Sequence, residues 1–293
     1  MVKKANYSVG FIGGGNMASS IIGGLVPEVL DSKSVFVFDP NKAQSTRLNE
    51  TFNINICSDN LSLIRQCEVV ILAIKPQITA SVIAPIAQSL TDKKPLIISI
   101  AAGVNINLIQ QLIDINSTPL SDENSKLAII RVMPNTPALV KAGASGMYAN
   151  THTSNTQKDI AQTLMTAVGS AIWVDQENDI DTVTALSGSG PAYFMLFLQS
   201  LIDSAVNSGL PKQIAQQLAV DTCIGAAKLI QSNSDNNNAD INQLIQNVTS
   251  PGGTTEQALL SFQKNQLTHI IDNAFQAALK RSEKLGEELL NKL

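Results

Sequence analysis

Phe11-Ile12-Gly13-Gly14-Gly15-Asn16-Met17-Ala18 follows the apolar segment Tyr7–Ile12 and opens an apolar helical pattern. This is the G-x-G-x-x-A form of the turn that joins the first strand and helix of a dinucleotide-binding domain. Gly13 permits the tight turn, Gly15 leaves room for a pyrophosphate, and Ala18 lets the helix pack close to the strand. The pattern therefore predicts a bound dinucleotide rather than a bare glycine turn.

Strands and helices alternate after this turn. The predicted strands are Ser34–Phe38, Asn53–Cys57, Glu68–Ile74, Leu96–Ala101, Leu127–Met133, Gly143–Tyr148 and Ala171–Val174. The predicted helices between them are Asp59–Gln66, which Asp59 caps, Gln77–Leu90 and Gln157–Val168. This alternation predicts an α/β domain built on a doubly wound parallel sheet. Ligands of that fold lie over the carboxyl ends of the strands.

Polar and irregular residues follow several of the predicted strands. Asp39 ends the second strand, where an acid can accept hydrogen bonds from the adenine ribose. Lys75 precedes Pro76 after the fourth strand and has two interpretations, a contact with the cofactor or a solvated strand end. Ala101-Ala102-Gly103 forms a glycine turn after the fifth strand. We therefore expect these residues to lie near one ligand site.

The C-terminal third is predicted to be helical. An acidic break, Asp175–Asp181, separates the predicted domains 1–175 and 176–293, and Ser232–Asn238 is predicted to be a solvated loop. Ala192–Leu198, at the start of the helix Ala192–Asn207, is apolar on all sides. A helix of this kind must be covered all round. We therefore expect an all-α domain that covers this helix with a partner subunit.

A second glycine-rich stretch, Asn247–Gln257, lies between two helical patterns. Its glycines, Gly252 and Gly253, allow a tight backbone turn, and Thr254 or Thr255 is predicted to cap the next helix, with Gln257 as the reciprocal partner of Thr254. Free N–H groups at such a turn bind a carboxylate or phosphate well. Taken alone, the stretch fits a plain helix-to-helix turn equally well.

Composition narrows the class of protein. The 293 residues suffice for two domains, and the net charge of -4 with mixed signs argues against a nucleic-acid partner. We find neither an apolar run long enough for a bilayer nor a signal-peptide core, so we expect a cytoplasmic protein without membrane association. The three cysteines (Cys57, Cys67, Cys223) lack metal-ligand spacing and are predicted to be buried or half-buried thiols. With only His152 and His269 besides, no metal site is predicted.

The chemistry of the predicted site favours a substrate that needs little acid–base help. We find no catalytic histidine between the motifs, and a protonated imine is already activated for hydride attack. One alternative is a 3-hydroxyacid dehydrogenase, which would need a catalytic lysine such as Lys212 or Lys228. Another is a non-catalytic dinucleotide sensor, which would have no use for the turn at Ser250–Thr255.

Six motifs together resemble pyrroline-5-carboxylate reductase, in order and over nearly the whole chain. They are Phe11–Ala18, Leu72–Pro76, Ala101–Val104, Arg131–Pro137, Leu186–Tyr193 and Ser250–Thr255. The resemblance implies an N-terminal Rossmann domain and a C-terminal dimerisation domain. It also implies reduction of 1-pyrroline-5-carboxylate to L-proline by NADPH or NADH, in a homodimer formed through the C-terminal helices that can assemble further.

The resemblance also implies roles for individual residues. The cofactor would be bound by Gly13, Gly14, Gly15, Asn16, Met17, Ala18, Asp39, Asn41, Asn60, Ala73, Ile74, Lys75, Pro76, Ala101, Ala102, Gly103 and Asn247. The substrate carboxylate would be bound by Ser250, Gly252, Gly253, Thr254 and Thr255, with the catalytic Thr255 hydroxyl at the ring nitrogen. Asp39 would repel a 2′-phosphate, which argues against a preference for NADPH.

Overall fold

The computed structural model of the protein describes residues 5–118, 126–234 and 240–290. These residues form two compact units. The first extends to Ser189 and resumes at Ala277, whereas the second is Gly190–Gln276. The predicted boundary after Asp175 thus falls inside the first unit, and the division into domains at that point stays a prediction. Residues 235–238 of the predicted asparagine-rich loop lie outside the described residues.

A single eight-stranded sheet forms the centre of the first unit. Its strands are β1 Val9–Ile12, β2 Val35–Phe38, β3 Asn55–Ile56, β4 Val69–Leu72, β5 Leu96–Ser99, β6 Ile129–Met133, β7 Gly143–Ala149 and β8 Gly169–Trp173. The spatial order is β3-β2-β1-β4-β5-β6-β7-β8. Because β2 and β4 pair with opposite edges of β1, the winding direction reverses between β1 and β4. The predicted doubly wound sheet is therefore confirmed, and its switch point lies at the end of β1.

Apolar residues cover both faces of this sheet. Alternate residues of one strand belong to different core clusters: Phe11 lies in one, whereas Ile12 lies in the other. The strands are nearly continuous apolar runs because parallel strands of this kind are buried on both sides. The sheet is thus a rigid base for the loops at its carboxyl edge.

One strand departs from the parallel pattern. β7 runs antiparallel to β6, with Arg131 opposite Tyr148. Only nine residues join them, 134–142, and a parallel connection needs a crossover of a dozen or more. β8 returns to the parallel arrangement with β7 through an intervening helix.

Helices alternate with the strands of the first unit. They are α1 Asn16–Glu28, α2 Lys42–Phe52, α3 Asn60–Gln66, α4 Thr79–Ile83, α5 Ala87–Lys93, α6 Ile106–Ile115, α7 Asn155–Thr166 and α8 Asp179–Val183. The predicted helix Gln77–Leu90 is interrupted by a 3₁₀ turn at Ala84–Ile86. Pro85 explains the break, since proline lacks the N–H that an α-helix requires.

The second unit is helical, and no strand is found among its described residues. Its helices are α9 Gly190–Asn207, α10 Lys212–Ser234, α11 Ile241–Asn247 and α12 Thr254–Lys264, and it includes the start of α13 Leu267–Leu290. Gln266, with φ 55°, separates α12 from α13. Among the helices that the structure describes, none has both the length and the apolarity needed to span a membrane.

The cysteines differ in their surroundings. Cys57 and Cys67 are buried, and burial raises the pKa of Cys67 to about 12, so that this thiol is protonated at neutral pH. Cys223 is exposed on α10, and the prediction that it is at least half-buried is therefore wrong for the single chain. Helix periodicity alone does not reveal which face of α10 is covered.

Candidate active site

The turn after β1 has the backbone geometry of a diphosphate-binding site. Gly13 has φ +100°, and a Cβ atom there would lie 2.4 Å from the carbonyl oxygen of Ala73. Only glycine therefore fits, because both the backbone angle and the close approach exclude a side chain. A Cβ atom on Gly15 would meet nothing within 4 Å, so open space lies beside it.

The N-terminus of α1 faces this turn without a side-chain cap. Gly15 is the N-cap residue and contributes no side-chain hydrogen bond. The first N–H groups of a helix lack partners within the helix and attract an anion. This arrangement fits the diphosphate of a dinucleotide.

Asp39 closes onto the same turn. Its Oδ2 accepts a hydrogen bond of 2.7 Å from the Gly14 N–H, and its Oδ1 accepts one of 2.8 Å from the Asn41 N–H. Asn41 in turn caps α2 through the Ala43 N–H, at 3.2 Å. The carboxylate thus holds the glycine turn against the end of β2. Its predicted contact with the ribose would use the remaining lone pairs.

An unpartnered polar atom follows β3. The side-chain oxygen Oδ1 of Asn60 is buried and has no hydrogen-bond partner among the residues that the structure describes. Its neighbour Asp59 caps α3 as predicted, accepting a bond of 2.6 Å from the Ser62 N–H, which lowers the pKa of Asp59. A buried acceptor without a donor is unfavourable unless a ligand supplies the donor. Asn60 therefore fits its predicted position beside the cofactor.

The backbone segments after β4 and β5 also lie at the carboxyl edge of the sheet. The carbonyl oxygen of Ala73 and the side chain of Ile74 occupy the space that a Cβ atom on Gly13 would need. Lys75 is exposed and precedes the 3₁₀ turn that begins at Pro76. Gly103 has φ +71°, which glycine adopts without strain. Together with the bond from the Gly14 N–H to Asp39, these approaches bring the fingerprint, Asp39 and the Ala73–Ile74 segment together in one place.

The second unit carries the predicted substrate turn. The Gly253 N–H donates to the Ser250 carbonyl at 3.0 Å, and Gly252 has φ +70°. Ser250-Pro251-Gly252-Gly253 therefore has the features of a type II turn, which favours proline at its second position and requires a positive φ at its third. The helix α12 begins directly after the turn, so its first N–H groups are directed towards it.

The cap at this turn differs from the predicted one. Gly253 is the N-cap residue and no side chain caps α12, so the assignment of Thr254 or Thr255 as the cap is wrong. Instead, Glu256 reaches back and accepts a bond of 2.8 Å from the Gly252 N–H. Glycine at the N-cap is tolerated because its flexible backbone reaches the extended conformation found there. The predicted reciprocal role of Gln257 is likewise replaced by that of Glu256.

The described residues therefore show no structural role for the Thr255 side chain. Its side chain is half-buried, and no described residue offers its hydroxyl a hydrogen bond. Other hydroxyls of the second unit bond to the carbonyl four residues before them, for example Thr249 to Ile245 at 2.6 Å. Asn247 is exposed, and its side-chain oxygen accepts a bond from Gln243 at 3.0 Å.

A buried ion-pair network escapes the sequence-based predictions. Arg131 is 4% exposed, and its Nη2 lies 3.0 Å from Asp181 Oδ1 while its Nη1 lies 3.7 Å from Glu177 Oε1. Glu177 also accepts a bond of 2.6 Å from the Ile106 N–H at the start of α6. A single arginine within the apolar strand β6 is the feature of the sequence that could have indicated this network, because a buried charge needs partners of opposite sign. Among the described residues, no group of His, Cys, Asp and Glu side chains could hold a metal ion.

Two protein families match the chain, one in its N-terminal part and one in its C-terminal part. Residues 8–103 match the family described as NADP oxidoreductase coenzyme F420-dependent. Residues 177–285 match the family described as pyrroline-5-carboxylate reductase dimerisation. These matches confirm the predicted nicotinamide cofactor and give the chain a dimerisation domain, which supports a homo-oligomer.

Individual proteins match over almost their full length. The pyrroline-5-carboxylate reductase of Pseudomonas aeruginosa is 38% identical over 281 residues, which cover 96% of this chain and 97% of that protein. The enzyme of the same name from Arabidopsis thaliana is 34% identical over 283 residues, covering 96% of each chain. These matches favour the reductase over a 3-hydroxyacid dehydrogenase, and Lys212 and Lys228 are both exposed on α10.

Solved structures give the same result. The structure of a pyrroline-5-carboxylate reductase from Coxiella burnetii has a TM-score of 0.86 and 36% identity, covering 96% of this chain and 99% of that one. That of Plasmodium falciparum pyrroline carboxylate reductase, with NADP bound, has a TM-score of 0.81 and 30% identity, covering 97% and 100%. The chain therefore belongs to the pyrroline-5-carboxylate reductase family of oxidoreductases.

Proposed function

We propose that the protein catalyses the NAD(P)H-dependent reduction of 1-pyrroline-5-carboxylate to L-proline, the last step of proline biosynthesis. The observation that supports this most is the 38% identity to the Pseudomonas aeruginosa reductase across nearly both chains. The dinucleotide-type turn of the first unit and the anion-type turn of the second fit the two reactants, one with a diphosphate and one with a carboxylate. No described feature favours a second function.

The first unit holds the cofactor in this proposal. The N–H groups at the start of α1 donate hydrogen bonds to the diphosphate, for which Gly15 leaves space, and Asp39 and Asn41 face the adenine ribose. Asn60 and the Ala73–Pro76 segment line the bound dinucleotide. Ala101–Gly103 flanks its nicotinamide ribose. The bound cofactor supplies the hydride that reduces the imine.

Ser250–Thr255 binds the substrate carboxylate in this proposal. The N–H groups of Thr254 and Thr255 and the Ser250 hydroxyl are its donors, because the Gly253 N–H already bonds to the Ser250 carbonyl. Glu256 already engages the Gly252 N–H, at 2.8 Å, so the substrate shares the turn with an internal carboxylate. Like charges that share one turn repel, so we expect the Glu256 carboxylate to weaken substrate binding.

Thr255 orients the substrate for reaction. Its hydroxyl hydrogen-bonds the ring nitrogen, which directs the imine carbon towards the hydride donor. A hydroxyl is too weak an acid to protonate the product amine outright, so this bond positions the ring rather than supplying the proton. The absence of a capping role for Thr255 among the described residues supports this assignment.

The apolar surface of the second unit favours a homodimer formed through the C-terminal helices. Phe194, Met195 and Leu196 on α9 are 71%, 63% and 70% exposed in the single chain. α9 and α10 also line an apolar groove of about 660 Å³. Contiguous exposed apolar side chains of this kind mark protein interfaces. We further propose a cytoplasmic location and a functional boundary near residue 175.

Turnover measurements test this function. Purified full-length protein is mixed with NADPH or NADH and 1-pyrroline-5-carboxylate, and the loss of nicotinamide absorbance is recorded. We expect oxidation that requires the imine and stops when it is consumed. The same cofactors without imine, and NADP⁺ with a 3-hydroxy acid, serve as controls and should give no reaction. A dehydrogenase activity on the hydroxy acid, with none on the imine, would overturn the proposal.

A further inference from the structure

The C-terminal end of α13 packs on the loop that follows β5. Ser282 and Gly286 are four residues apart and so share one face of this helix. Ser282 is 3% exposed, and its hydroxyl donates a bond of 2.8 Å to Asp181 Oδ1. That carboxylate oxygen also accepts from Arg131. The helix is thus anchored to the buried ion-pair network.

Gly286 brings the helix backbone against the loop. A Cβ atom on Gly286 would lie 3.0 Å from the carbonyl oxygen of Gly103. Conversely, a Cβ atom on Gly103 would lie 3.0 Å from the Cβ atom of Leu285. Two glycines therefore face each other where a methyl group at either position would push its neighbour away by a few tenths of an ångström. The contact involves loop backbone, which cannot swing aside as a flexible side chain would.

The opposite end of the loop is held by the same network. Glu177 lies 3.7 Å from the Arg131 guanidinium and accepts the Ile106 N–H at 2.6 Å, which fixes the first turn of α6. The short segment from Gly103 to Ile106 is therefore held by Glu177 at one end and by α13 at the other. Because Arg131 is almost completely buried, its two carboxylate partners are held firmly.

We propose that Gly286 and Ser282 are positioning residues that fix the Ala101–Gly103 loop at the nicotinamide end of the cofactor. This inference rests on the proposed function, which assigns that loop to the nicotinamide ribose. The close contact between Gly286 and Gly103 sets the height of the loop above the sheet. The bond from Ser282 to Asp181 sets the position of α13 along its axis relative to the loop.

The test is Gly286→Ala, with cofactor binding measured separately from turnover. Overpacking a close contact displaces its neighbour. We expect the Kd of NADPH, measured by its own fluorescence, to rise about fivefold, which corresponds to about 1 kcal/mol. The Kd of ADP, which lacks the nicotinamide half and binds at the fingerprint, should change by less than about twofold. We also expect kcat to fall about tenfold, because misplaced reactants react slowly.

Two further variants complete the test. Ser282→Ala removes the bond to Asp181 without adding bulk and should change the same quantities in the same direction by a smaller factor. Lys284→Ala, on an exposed position of the same helix, is the matched control and should resemble the wild type. Equal weakening of NADPH and ADP, or wild-type values for both Gly286→Ala and Ser282→Ala, would overturn the inference. If the wild type bound NADPH but did not reduce the imine, the proposed function would fail, and the binding comparison would still decide the role of the helix.

Discussion

Replacing Thr255 by alanine isolates the proposed orienting bond. The side chain is half-buried, and no described residue shares a hydrogen bond with its hydroxyl. A hydrogen bond contributes about 0.5–1.5 kcal/mol net, and an unpaired polar group costs about 1–3 kcal/mol. Since about 1.4 kcal/mol is a factor of ten, kcat/KM for the imine should fall roughly 10- to 100-fold. The Kd of NADPH should hardly change, and Thr255→Ser should recover most of the rate.

Stability measurements separate this effect from a loss of helix structure. Gly253, not Thr255, is the N-cap of α12, so Thr255→Ala removes no cap. Alanine also has a higher helix propensity than threonine, and Tm should stay the same or rise slightly. Ser261→Ala, which removes an exposed hydroxyl from the same helix, is the matched control and should be fully active. An alanine variant of Thr255 with wild-type kcat/KM would refute the assigned role.

Three further substitutions test the other assigned roles. Asp39→Ser should raise the ratio of kcat/KM for NADPH to that for NADH by about fivefold, because two negative charges about 4 Å apart in water repel by about 1 kcal/mol; an unchanged ratio would show that Asp39 does not face the 2′ position. Glu256→Gln keeps an acceptor for the Gly252 N–H but removes the charge, and the KM for the imine should fall by up to about fivefold; a higher KM would mean that the charge assists binding. Leu196→Glu should give a monomer by light scattering, because Leu196 is 70% exposed in the single chain and lies on the proposed interface. Ile172, which is 64% exposed in the first unit, provides the control, and Ile172→Glu should remain a dimer. A stable dimer of Leu196→Glu would contradict an interface at α9.

Much of the first unit follows from local sequence patterns. The Gly13–Ala18 fingerprint, the apolar strands and the Asp59 cap are all present because each depends on neighbours in sequence. The antiparallel β7 is not predicted from apolar patterning, since parallel and antiparallel buried strands look alike in sequence. Only the short connection between β6 and β7 indicates that the two strands are antiparallel.

The sequence-based predictions fail in two situations. They choose the wrong residue among adjacent candidates for a cap, and they miss contacts between residues far apart in sequence. At the substrate turn, the sequence predicts Thr254 or Thr255 as the cap, whereas Gly253 occupies the N-cap position and Glu256 accepts a bond from the Gly252 N–H. Residues 50 and 101 positions apart meet in the bonds from Arg131 and Ser282 to Asp181. No periodic pattern encodes such separations. An isolated glycine in a helix, as at Gly286, is the one local signal of a close contact.

Tracing the hydride tests the central claim most directly. The full-length protein is supplied with 1-pyrroline-5-carboxylate and NADPH carrying deuterium at C4 of the nicotinamide, and the product is analysed by mass spectrometry and NMR. The account predicts L-proline with deuterium at C5, the former imine carbon, in proportion to the labelled hydride transferred. Oxidation of NADPH without formation of proline, or proline without deuterium at that carbon, would contradict it.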